Sequence, residues 1–230
     1  MPRLTYYGHS CMQLSDGKHT LLIDPFLTGN PKASVRAADI EACDFILVTH
    51  GHADHFGDTI KLALRFHATV IATWELANFI GRHRVQAHAM STGGAHAFPF
   101  GRVKVTPALH GCGGDEVDGE TPPANTPVGF VVTIGGKNVY HAGDTALFSD
   151  MKLIAEYAPL DVACLPIGDN FTMGVKDAAR ANDFLKASIC VPIHYDTFPV
   201  IVANAEDFKQ RIEQQGARGM VLAPGESFEF

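Results

Sequence analysis

A short segment that follows a run of apolar residues carries a dense set of metal-binding side chains. The segment reads THGHADH over residues 49–55, which is the spacing His-x-His-x-Asp-His. In extended backbone, residues two apart point to the same side, so His50 and His52 can offer their imidazoles to one cation. A turn toward a following helix would bring Asp54 and His55 to a second cation. Neutral imidazoles and carboxylates are common ligands of divalent ions, so the spacing predicts a binuclear metal centre.

The elements that must position this segment follow from the apolar pattern around it. Residues 45–49 form a continuous β-prone run, typical of a strand buried on both faces, so the motif begins at the C-terminal end of a strand. Helical and strand patterns alternate in the first and last thirds of the chain, whereas the middle is typical of antiparallel strands. Two such mixed halves predict an α/β (α+β) fold, a four-layer αββα sandwich, as one domain over residues 1–230.

The most regular stretches predict individual elements. Strands are expected near Val85 and at 128–134, 162–167, 189–193 and 220–222, and helices at 151–157, 176–186 and 205–214. Between the halves, residues 111–127 are rich in glycine, proline and acidic side chains, which predicts a loop beside the metal centre. This loop is expected either to cover a substrate or to be a solvated connection.

The THGHADH motif resembles that of the metallo-β-lactamase superfamily, which implies further ligands elsewhere in the chain. The resemblance calls for a histidine after a mid-chain strand, and VKVTPALHG at 103–111 provides His110. It also calls for an aspartate in a Gly-Asp-Thr element and a histidine after a late strand, which the chain provides as Asp144 and His194. The resemblance implies a first site of His50, His52 and His110 and a second site of Asp54, His55 and His194. Asp144 would bridge the two sites.

Three further segments are similar to a narrower branch of this superfamily. The segments YGHSC at 7–11, LIDP at 22–25 and IGDNFTMG at 167–174 resemble metal-dependent hydrolases related to the L-ascorbate-6-phosphate lactonase group. With the ligand motifs, the resemblance covers nearly the whole chain. It implies a hydrolase whose partner is a small-molecule substrate, and it favours a cyclic or phosphorylated small ester.

The implied ligand set limits the metal and the reaction. Nitrogen and carboxylate ligands without thiolate suit Zn²⁺ first, and also Mn²⁺ or Fe²⁺. Two such ions, about 3.5–4 Å apart, would share a hydroxide and polarise a carbonyl or phosphoryl oxygen. We expect this metal-bridging hydroxide to attack an ester, lactone, thioester, amide or phosphodiester, with Asp54 as the catalytic residue that positions it. The choice between these bonds stays open, because the fold alone does not determine the substrate.

Several other polar residues at strand ends are candidates for supporting roles. His9 follows a glycine near the expected pocket and is expected either to bind substrate or give the leaving group a proton, or to cap the first strand. Asp24 is expected to hold the ligand loop by accepting hydrogen bonds, unless it belongs only to an Asp-Pro turn. His141 should face away from the metals, which predicts an indirect role. Asn170 and Thr172 are expected to bind substrate or, alternatively, to form a turn that caps a helix.

The overall composition argues against several classes of protein. Eighteen basic and 25 acidic residues give a formal charge of −7. The sequence contains no Lys/Arg cluster that could contact a phosphate backbone, so nucleic acid is a disfavoured partner. The five cysteines form no CxxC pair, so neither a disulfide framework nor a thiolate zinc site is expected. Neither a signal peptide nor a membrane-spanning run is evident, which predicts a cytoplasmic protein without a membrane partner. Assembly as a homo-oligomer stays open.

Two other activities on the same scaffold stay open as alternatives. An iron-dependent oxidoreductase of the dioxygenase type would bind O₂ or a persulfide. His52 occupies the position where the resemblance places a glutamate in di-iron flavoproteins, which argues against that class, but the His-x-His spacing does not exclude mono-iron enzymes. A nuclease or phosphodiesterase is the other alternative, and the acidic balance of the chain argues against it.

Overall fold

Two mixed β-sheets face each other in the computed structural model, which describes residues 1–113, 115–117 and 119–230. In spatial order, the strands of the first sheet are β14 (Ser227–Glu229), β1 (Arg3–Gly8), β2 (Cys11–Ser15), β3 (Thr20–Ile23), β4 (Phe45–Leu47), β5 (Thr69–Thr73) and β6 (Ala87–Met90). The strands from β14 to β3 are antiparallel neighbours, whereas those from β3 to β6 run parallel.

The second sheet repeats this combination of antiparallel and parallel pairing. In spatial order, its strands are β13 (Arg218–Gly219), β12 (Ile189–Ile193), β11 (Val162–Pro166), β10 (Lys137–His141), β9 (Val128–Ile134), β8 (Gly101–Pro107) and β7 (Ala95–Phe98). The strands from β7 to β10 are antiparallel and those from β10 to β13 are parallel. Each half of the chain therefore combines a meander with alternating strands and helices.

Helices cover the outer faces of both sheets. They are α1 (Ala53–Phe56), α2 (Thr59–Phe66), α3 (Trp74–Gly81), α4 (Met151–Tyr157), α5 (Val175–Leu185) and α6 (Ala205–Gln214), with 3₁₀ helices at Ala37–Asp39 and Pro199–Ile201. The start of α6 illustrates how the sequence directs them: the side chain of Asn204 accepts two backbone N–H groups of the first turn, and Phe208 and Ile212 are buried four residues apart. In the described part of the chain, no helix is both long and apolar enough to cross a membrane.

Three apolar layers hold these elements together. The middle layer lies between the sheets and joins Leu21 and Leu47 of the first sheet to Phe130 and Val132 of the second. The second layer packs α2 and α3 against the outer face of the first sheet, and the third packs α4, α5 and α6 against the outer face of the second. Strand β9 contributes to two layers, because its side chains alternate and Val131 points outward. The predicted four-layer αββα sandwich is confirmed.

Sequence patterns located the central strands better than the strands at the sheet edges. Strands β9 and β12 and helices α4 and α6 coincide with their expected ranges. The strand expected at 220–222 was wrong in position, since it pairs as β13 at Arg218–Gly219, and the strand expected near Val85 is β6 at Ala87–Met90. Strands β7 and β14 were not expected. All four are edge strands that pair on one side only, so their apolar pattern is weak.

The carboxyl ends of several strands meet at one edge of the sandwich. Strands β1, β3 and β4 share a direction in the first sheet, as do β8, β10 and β12 in the second. Two backbone hydrogen bonds join the loops that follow: Val128 N–H donates to the carbonyl of Thr49 at 3.1 Å, and His194 N–H donates to that of His9 at 2.8 Å. This edge therefore brings loops of both sheets together.

Replacing Phe130 by alanine should lower the free energy of unfolding by about 3–5 kcal/mol, because the ring is fully buried between the sheets and its loss leaves a cavity. Urea denaturation measures the change. Leu64→Ala is the control, since that side chain is 48% exposed and its loss should change stability by no more than about 0.5 kcal/mol. Equal losses in the two variants would contradict the described packing of the middle layer.

Candidate metal centre

The loop that follows β4 is held by a buried carboxylate. Asp24, which follows β3, accepts hydrogen bonds from the backbone N–H of Thr49 at 2.8 Å and from its hydroxyl at 2.7 Å. The carboxylate of Asp24 also lies 2.7 Å from Nδ1 of His55. A histidine that donates one ring N–H to a carboxylate presents its other nitrogen in a fixed direction. Asp24 therefore sets the direction of Nε2 of His55.

Three histidines form a first group of candidate ligands. Nδ1 of His52 lies 3.0 Å from Nε2 of His50 and 3.4 Å from Nε2 of His110. His50 is fully buried, and its Nδ1 lies 2.9 Å from the hydroxyl of Thr49, which donates its own hydrogen to Asp24. Nδ1 of His50 therefore carries a proton, and the lone pair of Nε2 faces the other two rings. Ligand atoms of the three histidines lie within 4.8 Å of one another, close enough to hold one metal ion.

A second group combines a carboxylate with histidines from both sheets. Nε2 of His194 lies 3.7 Å from Oδ2 of Asp54. Ligand atoms of Asp54, His55, His194 and His9 all lie within 4.8 Å of one another. His194 directly follows β12 in a left-handed backbone conformation, with φ of 53°, which ends the strand at the site. These residues could hold a second metal ion.

The carboxylate of Asp144 lies between the two groups. Its Oδ1 is 3.2 Å from Nε2 of His55, and its Oδ2 is 3.1 Å from Nε2 of His194 and 3.6 Å from Nε2 of His110. Oδ1 of Asp144 and Nε2 of His55 are buried, and neither has a hydrogen-bond partner among the described residues. Two buried polar atoms at this distance without hydrogen-bond geometry are suited to sharing a cation, so the residues present fit a bound metal.

Backbone geometry keeps Asp144 close to the first group. The preceding Gly143 has φ of 61°, and a Cβ atom there would lie 2.7 Å from a carbonyl oxygen of β9. A larger residue at this position would therefore push the loop outward. On the other side, the hydroxyl of Thr145 accepts the backbone N–H of Leu109 at 3.0 Å. Because Leu109 precedes His110, this bond holds the two ligand loops together.

Burial and closely packed charges shift the pKa values of the candidate ligands. Burial opposes the ionisation of Asp144, but His194 and His55 outweigh it and hold the pKa well below its usual range. Burial likewise opposes protonation of His194, but Asp144 outweighs it and raises the pKa to about 9. Burial lowers the pKa of His50 and of His110. Carboxylates that stay ionised and neutral imidazoles are the forms that bind divalent cations, and a cation would displace the proton that His194 holds.

His9 lies beside the second group. Its ring centroid is 4.1 Å from that of His194, and its Nε2 lies 3.1 Å from Oδ2 of Asp54. Its Nδ1 lies 2.8 Å from the hydroxyl of Thr197. The ring is fully buried, and burial lowers its pKa to about 4. The role of proton donor to a leaving group stays a prediction, which the burial of the ring disfavours.

The acidic, proline-rich loop at 111–127 packs against the ligand loop. Oδ2 of Asp115 accepts the backbone N–H of Ala53 at 3.0 Å, and Oδ1 of Asn125 accepts that of Gly51 at 3.1 Å. These bonds fix the backbone between the candidate ligands. A role as a lid over substrate stays a prediction. Two residues of this loop lie outside the described residues: Gly114 and Asp118.

An open cavity of about 610 Å³ lies beside the first group of histidines. His110 lines it together with Leu109, Asn125 and Glu75. Among the described residues of its lining, none is lysine or arginine. The cavity therefore offers an apolar wall, an amide and a carboxylate next to the candidate metal ligands.

Three residues expected to support the site lie outside this cavity. His141 is fully buried, with Nε2 3.0 Å from the carbonyl of Ser10 and Nδ1 accepting the backbone N–H of Gly143 at 3.2 Å. It holds the turn before the bridging carboxylate. Asn170 is exposed, and the hydroxyl of Thr172 donates to the carbonyl of the next residue. Substrate binding by Asn170 and Thr172 stays a prediction.

Comparison with known proteins assigns the family. The model of the β-lactamase superfamily domain matches residues 19–195. The chain belongs to this superfamily. It also belongs to the UPF0173 metal-dependent hydrolases: the relative from Geobacillus sp. is 50% identical over 228 residues, which cover 99% of this chain and 100% of that protein. The relative from Pelotomaculum thermopropionicum is 45% identical over 229 residues, with the same coverage of 99% and 100%.

Solved structures agree with this assignment. The chain superimposes on Igni18, a metallo hydrolase from Ignicoccus hospitalis, with a TM-score of 0.89 and 34% identity, covering 100% of this chain and 99% of that one. It shares only the fold with CmlA, a diiron β-hydroxylase from Streptomyces venezuelae, at a TM-score of 0.75 and 18% identity over 100% of this chain and 54% of that one. The predicted superfamily and the class of metal-dependent hydrolase are confirmed. The narrower likeness to L-ascorbate-6-phosphate lactonases is not confirmed.

Three polar residues support the candidate ligands without having been expected to do so. Thr49 stands directly before His50, and this adjacency was a local signal that could have identified it. Asn125 and Thr197 contact residues 74 and 188 positions away in the chain. No local pattern relates such distant partners, so the sequence contained no signal for these two.

Replacing Asp24 by asparagine should weaken Zn²⁺ binding about 10–100-fold, the usual loss when a residue that orients a metal ligand is removed. Asparagine keeps one acceptor oxygen and replaces the other by an NH₂ group. This group would face donors, either the backbone N–H of Thr49 or the Thr49 hydroxyl and Nδ1 of His55. Competition with a chelator measures the affinity. Asp58→Asn is the matched control, because Asp58 is a buried carboxylate with three hydrogen bonds from residues 27–28. The same affinity in both variants would contradict an orienting role for Asp24.

Proposed function

We propose that this chain is a binuclear metal-dependent hydrolase that cleaves an ester or lactone bond of a small molecule. The observation that supports two ions is the position of Asp144, whose carboxylate oxygens lie 3.1–3.6 Å from Nε2 atoms of both histidine groups. The first ion would be held by His50, His52 and His110, and the second by Asp54, His55 and His194. Asp144 would contact both ions.

The proposed donor atoms are imidazole nitrogens and carboxylate oxygens. Such a set suits Zn²⁺, Mn²⁺ and Fe²⁺, and its richness in imidazole favours Zn²⁺ as the native metal. When bound, the ions would supply an activated water molecule and polarise the oxygen of the bond to be cleaved. The side chains around the ions would position the water molecule and the substrate.

The two carboxylates of the site have different tasks in this proposal. The side chain of Asp144 is 3% exposed and keeps the two groups together, whereas that of Asp54 is 26% exposed and faces the open side. Burial opposes ionisation of Asp54, but the adjacent His194 and His55 hold its pKa below the usual range. An ionised carboxylate in this position can accept a hydrogen bond from the attacking water and orient it toward the substrate.

The cavity beside His110 supports an uncharged substrate. A phosphate group would need cationic partners, and the described lining contains no lysine or arginine. Glu75 in the same lining would repel an anion. Leu109, which is 54% exposed, offers apolar surface to a substrate. These features favour a neutral ester or lactone over a phosphodiester, and the net charge of −7 argues in the same direction against nucleic acid.

Oxidative chemistry is the alternative, since CmlA carries a diiron centre on the same fold. That likeness rests on 18% identity and extends to the fold alone. The relatives that match almost the whole chain at 45–50% identity are named hydrolases. Hydrolysis is therefore the proposal, and consumption of O₂ would be the signature of the alternative.

We expect the Zn²⁺-loaded chain to bind two ions, as counted by native mass spectrometry and elemental analysis. His52→Ala should retain one ion, because only the first group loses a ligand. Asp144→Ala should weaken both ions, because its carboxylate contacts both groups. A single ion in the unsubstituted chain, or loss of only one ion in Asp144→Ala, would contradict the shared carboxylate.

A substrate panel tests the reaction. With Zn²⁺ or Mn²⁺ loaded, turnover of neutral lactones and carboxylic esters should exceed that of phosphodiesters and phosphorylated esters, and no O₂ should be consumed. His52→Ala is the control, and its kcat/KM should fall by more than about 100-fold, since a direct ligand matters more than a residue that orients one. Full turnover by that variant would disprove the mechanism. Preference for phosphorylated substrates would contradict the uncharged substrate that the lining of the cavity favours.

A further inference from the structure

His9 is a buried imidazole that the proposed centre does not yet use as a ligand. Its Nδ1 lies 2.8 Å from the hydroxyl oxygen of Thr197, and that hydroxyl donates to the carbonyl of Tyr195 at 3.3 Å. A threonine hydroxyl has one hydrogen to donate. Because this hydrogen goes to Tyr195, Nδ1 of His9 must be the donor to Thr197. Nε2 of His9 is then left with an unshared electron pair.

The same arrangement occurs at His50, one of the proposed ligands. Nδ1 of His50 lies 2.9 Å from the hydroxyl oxygen of Thr49, which donates its hydrogen to Asp24 at 2.7 Å. Histidines that bind a metal through one nitrogen usually donate the other N–H to an oxygen, which fixes the tautomer and the ring direction. His9 therefore has the hydrogen-bond partner and the tautomer of a metal ligand.

The free nitrogen of His9 points into the second group. Nε2 lies 3.1 Å from Oδ2 of Asp54, within the cluster whose ligand atoms are at most 4.8 Å apart. Ligand atoms that each lie about 2.0–2.2 Å from Zn²⁺ are about 3–4 Å from one another. An unprotonated nitrogen and a carboxylate oxygen repel each other at this distance, and the full burial of the ring strengthens the repulsion. A cation between the two atoms would turn the repulsion into attraction.

The backbone holds this ring in place at some cost. His9 has φ of 58°, a left-handed conformation that is uncommon for a residue other than glycine. The preceding Gly8 has φ of 113°, and a Cβ atom there would lie 2.7 Å from the carbonyl of Lys32. The carbonyl of His9 in turn accepts the backbone N–H of His194 at 2.8 Å. Strained backbone of this kind is concentrated at functional sites, and here it keeps His9 against a proposed ligand.

We propose that Nε2 of His9 is a direct ligand of the second ion, beside Asp54, His55 and His194. The proposal rests on the binuclear centre proposed above and extends its ligand set. It gives the second site three imidazoles and a carboxylate in addition to the shared Asp144. The second site is therefore richer in ligands than the first, binds its ion more tightly and fills first during a titration.

Long-range ¹H–¹⁵N correlation spectra of the ¹⁵N-labelled, Zn²⁺-loaded chain test the proposal directly. These spectra distinguish a protonated, an unprotonated and a metal-bound ring nitrogen. For His9 we expect a protonated Nδ1 and a metal-bound Nε2, assigned by the loss of these signals in His9→Gln. A protonated Nε2, which would donate to Asp54, overturns the proposal.

Zn²⁺ titrations with chelator competition and native mass spectrometry provide the second measurement. His9→Gln should lower the affinity of one ion by more than about 100-fold, beyond the loss expected for a residue that only orients a ligand. Thr197→Val should lower the affinity of the same ion about 10–100-fold, because it removes only the partner of Nδ1. His67→Asn is the control: His67 is exposed at the end of α2 with φ of 53°, which asparagine tolerates, and both affinities should stay unchanged.

The outcomes separate this proposal from the proposed function. Two ions in the unsubstituted chain, with the same affinities in His9→Gln, leave the binuclear hydrolase standing and overturn His9 as a ligand. Fewer than two ions in the unsubstituted chain overturn both. If His9→Gln does not fold, the spectra of the unsubstituted chain decide the question, with His9 assigned as the ring whose Nδ1 signal shifts in Thr197→Val.

Discussion

The hydrogen bonds of one buried carboxylate determine the geometry of the candidate centre. Asp24 contacts the backbone N–H and the hydroxyl of Thr49 and Nδ1 of His55. These contacts replace the water that a carboxylate loses on burial, which would otherwise be costly. They also set two rings at once, because Thr49 orients His50 and Asp24 itself orients His55. The ligand loop keeps its shape through this carboxylate.

Around that carboxylate, the fold assembles polar atoms that do not satisfy one another. Oδ1 of Asp144 and Nε2 of His55 are buried without a hydrogen-bond partner among the residues described. An unsatisfied buried polar atom costs about 1–3 kcal/mol, so such a cluster opposes folding. A bound cation would give both atoms a partner. Metal binding and the stability of the fold are therefore coupled at this edge of the sandwich.

The candidate ligands come from both sheets, so the packing of the sheets is part of the site. Loops of the first sheet carry the His-x-His-x-Asp-His segment at 50–55, and loops of the second carry His110, Asp144 and His194. Contacts of 3.2–3.7 Å between these sets exist only when the middle apolar layer is closed. The apolar core thus acts on the chemistry by setting the distances between the candidate ligands.

The sequence predicted those features that depend on residues close together in the chain. Central strands such as Val128–Ile134, helices such as Ala205–Gln214, and the metal-binding spacing at 50–55 depend on neighbours a few residues apart, so their patterns are local. His110, Asp144 and His194 were assigned through resemblance to a family, because no spacing within the chain relates them to the motif.

The tertiary structure alone decided the remainder. The edge strands were displaced or unexpected, since a strand that pairs on one side carries little apolar pattern. The hydrogen bonds of Asp115, Asn125 and Thr197 to the site join residues 62, 74 and 188 positions apart. By itself the sequence determined which side chains could bind a metal. Which of them meet, and which tautomer each ring adopts, depends on how two sheets pack, because only that packing brings distant hydrogen-bond partners within reach.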